Sequence, residues 1–164
     1  MKTFKNDEDM TVIQTTGGDL TFKPLGETTS ILLPNGSYVI GDPCYSLGAE
    51  RKIWDVVVYE AMDGARNPAF TAVLDGVEFT AAVFSTSYGD GVYPAEGTDT
   101  RFPVDAGLIG AVPLELLERL GVDPEEYSAM TETFTSDSAM ILAETDGSNL
   151  TFSGDSTLTI MTGD

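Results

Sequence analysis

Apolar and polar residues alternate in short runs along most of this chain, and Gly, Asp, Asn or Pro separates one run from the next. Such alternation is typical of strands that bury one face. Asn35-Gly36 and Asp75-Gly76 lie between apolar runs, and both dipeptides favour two-residue hairpin turns. Because hairpins join antiparallel neighbours, the pattern predicts a mainly antiparallel sheet. The predicted strands are 11–16, 20–23, 29–33, 37–40, 69–74, 77–85, 101–104, 108–112, 138–145, 150–153 and 156–162.

Helical spacing occurs in two further segments. One is 49–62, which Asp63-Gly64 ends, and the other begins at Pro113 and ends at Gly121. Their apolar faces comprise Ile53, Trp54, Val57 and Ala61 in the first, and Leu114, Leu117 and Leu120 in the second. Asp123-Pro124 indicates a third, short helix. The fold class is therefore α+β, a mainly antiparallel sheet or small barrel with two or three short helices. We expect a flexible N-terminus over 1–10 and one globular domain over 11–164.

Charge is the strongest bulk property of the chain. Its 164 residues contain 27 acids and 8 bases, which give a formal net charge of −19. Such a surface repels nucleic acids and anionic membranes, so we expect neither as a partner. It suits a basic protein partner, divalent cations or high salt. Hydrophobic residues make up 41% of the chain, which is ordinary for a folded protein.

Cysteine usage and the N-terminal residues predict the compartment. The single cysteine, Cys44, cannot form an internal disulfide, which favours a reducing compartment. Residues 1–10 are polar and lack the apolar core of a secretory signal. No run approaches the length of about 18 apolar residues that a membrane span requires. We therefore expect a cytoplasmic protein, and the host cell cytoplasm if a phage encodes it.

Three short loops hold the candidate chemistry: 41–45 (Gly-Asp-Pro-Cys-Tyr), 89–93 (Gly-Asp-Gly-Val-Tyr) and 104–107 (Val-Asp-Ala-Gly). Each places an aspartate where the backbone turns next to a predicted strand. The chain has no histidine, which excludes Ser-His-Asp and Cys-His catalysis and histidine-bearing zinc sites. Three converging aspartates can bind Mg²⁺ or Ca²⁺ or act as acid and base. An aspartate before Gly or Pro more often stabilises its own turn.

Other residue types complete a candidate binding site around these loops. Loop tyrosines can stack on a base or sugar, and nearby cations can pair with a phosphate or carboxylate. The structural alternatives are half-buried packing for the tyrosines and ion pairs with neighbouring acids for the cations. The candidate ligand-binding residues are Asp42, Tyr45, Arg51, Tyr88, Asp90, Tyr93, Arg101 and Asp105. We assign no catalytic residue and no cofactor, and we leave a divalent cation open.

The same segments resemble a group of uncharacterised proteins, a domain of unknown function, from tailed phages and some bacteria. The shared features are the Gly-Asp-Pro-Cys-Tyr segment, Trp54 soon after it, the Gly-Asp-Gly-x-Tyr turn and the Val-Asp-Ala-Gly segment. They span about residues 38–112. The resemblance carries no activity. It implies a small cytosolic accessory protein, made by a phage inside its host and acting against host defence.

These observations leave several functions open. The first is a non-enzymatic binding protein that sequesters a small, nucleotide-like ligand at the Gly/Asp loops. One alternative is an acidic inhibitor that binds a basic host enzyme. Another is a Mg²⁺- or Ca²⁺-dependent hydrolase that uses Asp42, Asp90 and Asp105, and a structural role in a virion also remains. The sequence does not determine the oligomeric state.

Overall fold

The computed structural model describes residues 2–48 and 50–163 and is built mainly from β-strands. Fourteen strands lie in this part of the chain. They are β1 Lys2–Lys5, β2 Thr11–Thr15, β3 Gly18–Glu27, β4 Ser30–Leu33, β5 Gly36–Gly41, β6 Pro68–Leu74, β7 Val77–Ser85, β8 Gly91–Pro94, β9 Arg101–Val104, β10 Leu108–Pro113, β11 Glu132–Ser136, β12 Ile141–Thr145, β13 Asn149–Ser153 and β14 Thr157–Met161.

The helices of the described residues are short. They are α1 Pro43–Ser46, α2 Arg51–Val56 and α3 Leu114–Arg119, with a π-helical segment Val57–Met62 that continues α2 and a 3₁₀ turn Pro124–Glu126. No helix in residues 2–48 and 50–163 has the length and apolar character needed to cross a bilayer.

All strand pairs are antiparallel, and they form one large and two small sheets. The large sheet has the order β1-β2-β3-β6-β7-β10-β5-β11, and the four-stranded sheet has the order β14-β13-β12-β4. Strands β8 and β9 form a separate ribbon. The mainly antiparallel α+β fold is thus confirmed. The large sheet has two free edges, β1 and β11, and does not close on itself. Of the two predicted architectures, the protein therefore has the open sheet and not the small barrel.

The large sheet is the middle of three layers. On β7, Ala81 and Val83 face the core that the helices cover, whereas Ala82 and Phe84 face the core shared with the four-stranded sheet. Side chains of successive strand residues point to opposite faces, so both sets are buried. This explains why β7 reads as a nearly continuous apolar run instead of a clean alternation.

The turn at Asp75-Gly76 and the helix after residue 50 form as predicted. Asp75 and Gly76 have φ of 50° and 83°, the left-handed pair of a type I′ turn, and they join β6 to β7. In the α2 and π-helical segment, Ile53, Val57 and Ala61 are buried on one face. Residue 49, where the predicted helix begins, lies outside the described residues.

The hairpin predicted at Asn35-Gly36 is wrong. Strand β4 pairs with β12 in the four-stranded sheet, whereas β5 pairs with β10 and β11 in the large sheet. The connecting segment is a corner between two layers. Asn35 Nδ2 donates to the carbonyl of Asp137 at 2.9 Å, and Tyr38 Oη donates to the carbonyl of Pro34 at 2.8 Å. These contacts hold the corner in place of a hairpin ladder.

The N-terminal segment 1–10, expected to be flexible, contains an edge strand. Lys2–Lys5 pair with β2, and all four side chains are exposed. An exposed strand has no buried face, so no hydrophobic pattern marks it. Strand β11 was missed for a similar reason, because Phe134 is its one apolar residue.

We expect the helix-side core to depend on the edge-to-face contact of Phe22 and Phe70, whose ring centroids are 5.6 Å apart. Phe22→Ala should lower the free energy of unfolding by about 3–5 kcal/mol, because it removes a fully buried ring and leaves a cavity. Urea denaturation measures the change. The control is Leu32→Ala, which should change stability by less than about 0.5 kcal/mol because Leu32 is 58% exposed. Equal losses in both variants would contradict this account of the core.

Candidate functional site

The three Gly/Asp loops lie together at one edge of the large sheet. Strand β10 lies between β7 and β5, with Leu108 opposite Ser85 and Gly110 opposite Gly41. The ends of β5 and β7 therefore lie beside the start of β10. We call the loop residues at this edge, 41–45, 86–91 and 104–107, the three-loop junction.

The buried carboxylate of Asp42 joins two of these loops. Its Oδ1 accepts the backbone N–H of Cys44 at 2.9 Å and caps α1. Its Oδ2 accepts the N–H groups of Asp105 at 2.9 Å and Ala106 at 2.6 Å. Asp42 is 0% exposed, so its carboxylate is engaged inside the protein and offers no atom to solvent. Here it acts as a positioning residue for the loops.

A second set of bonds joins the 86–91 loop to the 104–107 loop. Thr86 donates its N–H to the carbonyl of Gly107 at 3.0 Å and its hydroxyl to the carbonyl of Gly89 at 2.6 Å. Tyr93 Oη donates to the same Gly89 carbonyl at 2.7 Å. Gly107 has φ of 71°, and a Cβ there would lie 3.6 Å from Gly89 Cα. Tyr93, a predicted ligand residue, is buried and holds the loop.

The outer surface of the junction consists of carboxylates and tyrosines. Tyr45 Oη donates to Asp105 Oδ2 at 2.6 Å. Burial first, and the hydrogen bond to Asp105 second, raise the pKa of Tyr45, so its hydroxyl remains a donor near neutral pH. Asp90 and Asp105 are exposed, and Tyr88 is 64% exposed. Four of the predicted residues therefore border one surface.

The electrostatic environment of the junction is negative. Burial, followed by the charges of Asp42, Asp105 and Asp90, raises the pKa of the Cys44 thiol to about 12. The hydrogen bonds agree with this: Asp42 accepts the N–H of Asp105, and Asp90 follows Gly89, whose carbonyl accepts from the same Thr86 hydroxyl that contacts Gly107. Cys44 stays protonated and matches the interpretation of a packing residue better than that of a nucleophile.

The two predicted cations do not join this surface. In the β8–β9 ribbon, Val104 lies opposite Gly91 at the junction, whereas Arg101 lies opposite Pro94. Arg101 is three residues further along β9, or roughly 10 Å at the rise of an extended strand. Arg51 pairs with Asp55 on its own helix at 4.0 Å. Within the described chain, no ion pair joins either arginine to Asp42, Asp90 or Asp105.

The aspartates also do not form a recognisable cation site. In residues 2–48 and 50–163, no group of three or more Asp, Glu, Cys or His side chains has an arrangement that could hold a metal ion. Both carboxylate oxygens of Asp42 accept backbone N–H groups, so they are directed toward these donors and not toward a position between the three aspartates. The metal-dependent hydrolase stays a prediction from the sequence.

Sequence reasoning missed a polar cleft beside the junction. It is lined by residues from the ends of β4, β7 and β12 and from the segment before β6, among them Arg66, Asn67 and Asp146. Ser85 and Ser87 add hydroxyl groups to its lining. Nothing in the spacing of Arg66 and Asp146 along the chain indicates that they meet.

No family model, curated protein or solved structure matches this chain. The resemblance to phage and bacterial proteins therefore stays a prediction.

Asp42→Asn should destabilise the fold. The amide can accept on one side only, so its NH₂ group faces N–H donors on the other, at a cost of about 1–3 kcal/mol for each buried donor left unsatisfied. Urea denaturation gives the change, and amide hydrogen exchange should accelerate on whichever side the NH₂ group faces: at Cys44, or at Asp105 and Ala106. The control Asp90→Asn removes an exposed carboxylate and should change stability by less than about 0.5 kcal/mol. Unchanged exchange at all three of Cys44, Asp105 and Ala106 would refute the positioning role.

Cys44 should react slowly with iodoacetamide in the native protein. A pKa of about 12 instead of 9.0 reduces the thiolate fraction about a thousandfold at pH 8. Alkylation is followed by mass spectrometry, with the urea-unfolded protein as the reference. Asp90→Asn should accelerate the native reaction because it removes one of the negative charges that act on the thiol. A native rate equal to the unfolded rate would contradict the assignment.

Proposed function

We propose that this protein is a non-enzymatic binding protein whose partner is a basic protein, and that the partner docks on the outer surface of the three-loop junction. The observation that carries the proposal is a pair of exposed carboxylates, Asp90 and Asp105, on that surface. Among the described residues neither carboxylate forms an ion pair, and the predicted cations Arg51 and Arg101 lie elsewhere.

The chemistry of this surface suits an arginine or lysine side chain. The carboxylates of Asp90 and Asp105 can accept charge-assisted hydrogen bonds, and guanidinium is the best geometric match for them. Tyr88 exposes 64% of its surface and Val92 exposes 58%, which adds apolar area beside the charges. Aromatic residues beside charge-complementary groups are typical of interface hot spots.

The rigidity of the junction supports a binding role. Asp42 and Thr86 fix the loops through backbone bonds, so the carboxylates are held before a partner arrives. A preorganised surface loses less conformational entropy on binding. The overall charge of −19 accelerates encounters with a basic partner, and this steering weakens as salt rises.

The geometry favours this partner over the nucleotide-like ligand expected from sequence. A phosphate needs donors or cations to offset its charge, and the junction surface presents carboxylates instead. Arg101 lies at the far end of the β8–β9 ribbon. The proposal therefore takes the acidic inhibitor of a basic protein as the function, and a phage origin is retained as a prediction.

A short oligoarginine peptide tests the proposal, with an oligoglutamine peptide of the same length as the reference. In a ¹H–¹⁵N NMR titration, we expect oligoarginine to shift the amide signals of residues 86–92 and 104–107, with an affinity that falls as salt approaches physiological strength. The double variant Asp90→Asn with Asp105→Asn should lose about tenfold or more in affinity, because it removes two charge-assisted contacts.

The matched control changes the same number of charges elsewhere. Asp7 and Asp99 are exposed, in the β1–β2 turn and at the tip of the β8–β9 ribbon, respectively. The double variant Asp7→Asn with Asp99→Asn should bind oligoarginine within about twofold of the unmodified protein if the junction is the site. Equal losses in both double variants would mean that net charge alone attracts the peptide. That result would overturn the proposed site.

A further inference from the structure

The polar cleft beside the junction has the size of a small-ligand site. Its volume is about 380 Å³, and the residues that line it are Thr29, Arg66, Asn67, Ser85, Ser87, Thr145, Asp146 and Gly147. Sites for small molecules generally range over about 300–1,000 Å³, so this cleft suits a ligand at the lower end of that range.

Arg66 supplies a cation that the protein itself does not neutralise. Only four ion pairs occur in the described parts of the chain, and none includes Arg66. The nearby carboxylate of Glu27 accepts the backbone N–H of Arg66 at 2.9 Å, not the guanidinium. In a chain with 27 acids, an unneutralised guanidinium at a cleft is a donor set for a carboxylate ligand.

Asn67 adds a neutral donor next to this cation. Its Oδ1 accepts the backbone N–H of Ser85 at 3.0 Å, which fixes the orientation of the amide. The Nδ2 group makes no hydrogen bond within the described structure and lies on a residue that lines the cleft. Arg66 and Asn67 therefore offer donors from consecutive positions.

Asp146 provides the opposite charge in the same cleft. Its Oδ1 accepts the N–H groups of Ser148 at 2.8 Å and Asn149 at 2.7 Å, and these bonds lower the pKa of its carboxyl. Asp146 is therefore ionised at neutral pH, and its exposed carboxylate also interacts with the side chain of Asn149, while Oδ2 accepts no backbone N–H of this turn. It presents an acceptor to a cationic group.

We propose that this cleft binds a small zwitterion of the amino-acid type, with the ligand carboxylate on Arg66 and Asn67 and the ligand ammonium on Asp146. A simple anion would meet the charge of Asp146, and a simple cation would meet Arg66. A sugar or nucleobase would find no aromatic ring among the residues lining the cleft to stack on. A ligand that carries both charges can pair with Arg66 and with Asp146.

The test is an NMR titration with each of the standard protein amino acids at millimolar concentration. We expect at least one to produce saturable shifts at Asn67, Ser85, Ser87 and Gly147. Its analogues without the α-ammonium or without the α-carboxylate should each bind roughly tenfold more weakly or worse. No saturable shift with any amino acid would overturn the proposal, as would equal affinity for either analogue.

Two variants and one control locate the site. Arg66→Gln and Asp146→Asn should each weaken binding by about tenfold, and the asparagine can still close the Asp146 turn. The control Arg101→Gln removes another exposed arginine that makes no ion pair within the described residues and does not line the cleft. It should leave the affinity unchanged. If Arg101→Gln reduced the affinity as much as Arg66→Gln does, the assignment of the ligand to the cleft would be overturned.

Discussion

The three-loop junction depends on the hydrogen bonds that the buried carboxylate of Asp42 accepts. Three backbone N–H groups from two loops converge on it, and they satisfy an ionisable group that is costly to leave unpaired inside a protein. The same residue caps α1 and sets the position of the loop between β9 and β10. Tyr45 and Asp105 meet on the outer surface because Asp42 holds their backbones beneath it.

The layered architecture explains why this constraint falls at the end of β5. Strand β5 lies between β10 and β11 and buries Val39 against the helix-side core and Ile40 against the opposite core. With packing on both faces, the strand cannot move without disturbing two cores. Its end is therefore a rigid point from which the Asp42 loop projects. The residues of the proposed binding surface lie on loops, and strand β5, which supports the Asp42 loop, is packed on both faces.

The sequence predicts the contacts between residues that are close along the chain and misses the contacts between residues that are distant along it. The type I′ turn at Asp75-Gly76 depends on two adjacent residues, so the dipeptide is sufficient to predict it. Asn35-Gly36 has the same local signal, but β4 pairs with β12, more than a hundred positions away along the chain. The same division applies to Asp42. Its bond to Cys44 follows from the Asp-Pro turn, whereas its bonds to Asp105 and Ala106 depend on strand order, which periodicity does not encode.

The two proposed sites differ in charge. The three-loop junction presents negative charges, whereas the cleft is lined by one group of each sign, Arg66 and Asp146. At the three-loop junction the exposed carboxylates of Asp90 and Asp105 form no ion pair with another described residue, and the proposed partner would bring the positive charge. In the cleft, Arg66 and Asp146 both line the surface, and the proposed ligand, with one charge of each sign, would pair with both. A protein of net charge −19 repels most small anions before they reach its surface. A zwitterion has no net charge and is not repelled. Its carboxylate can therefore reach Arg66 even on so acidic a protein, which supports a zwitterion as the proposed ligand.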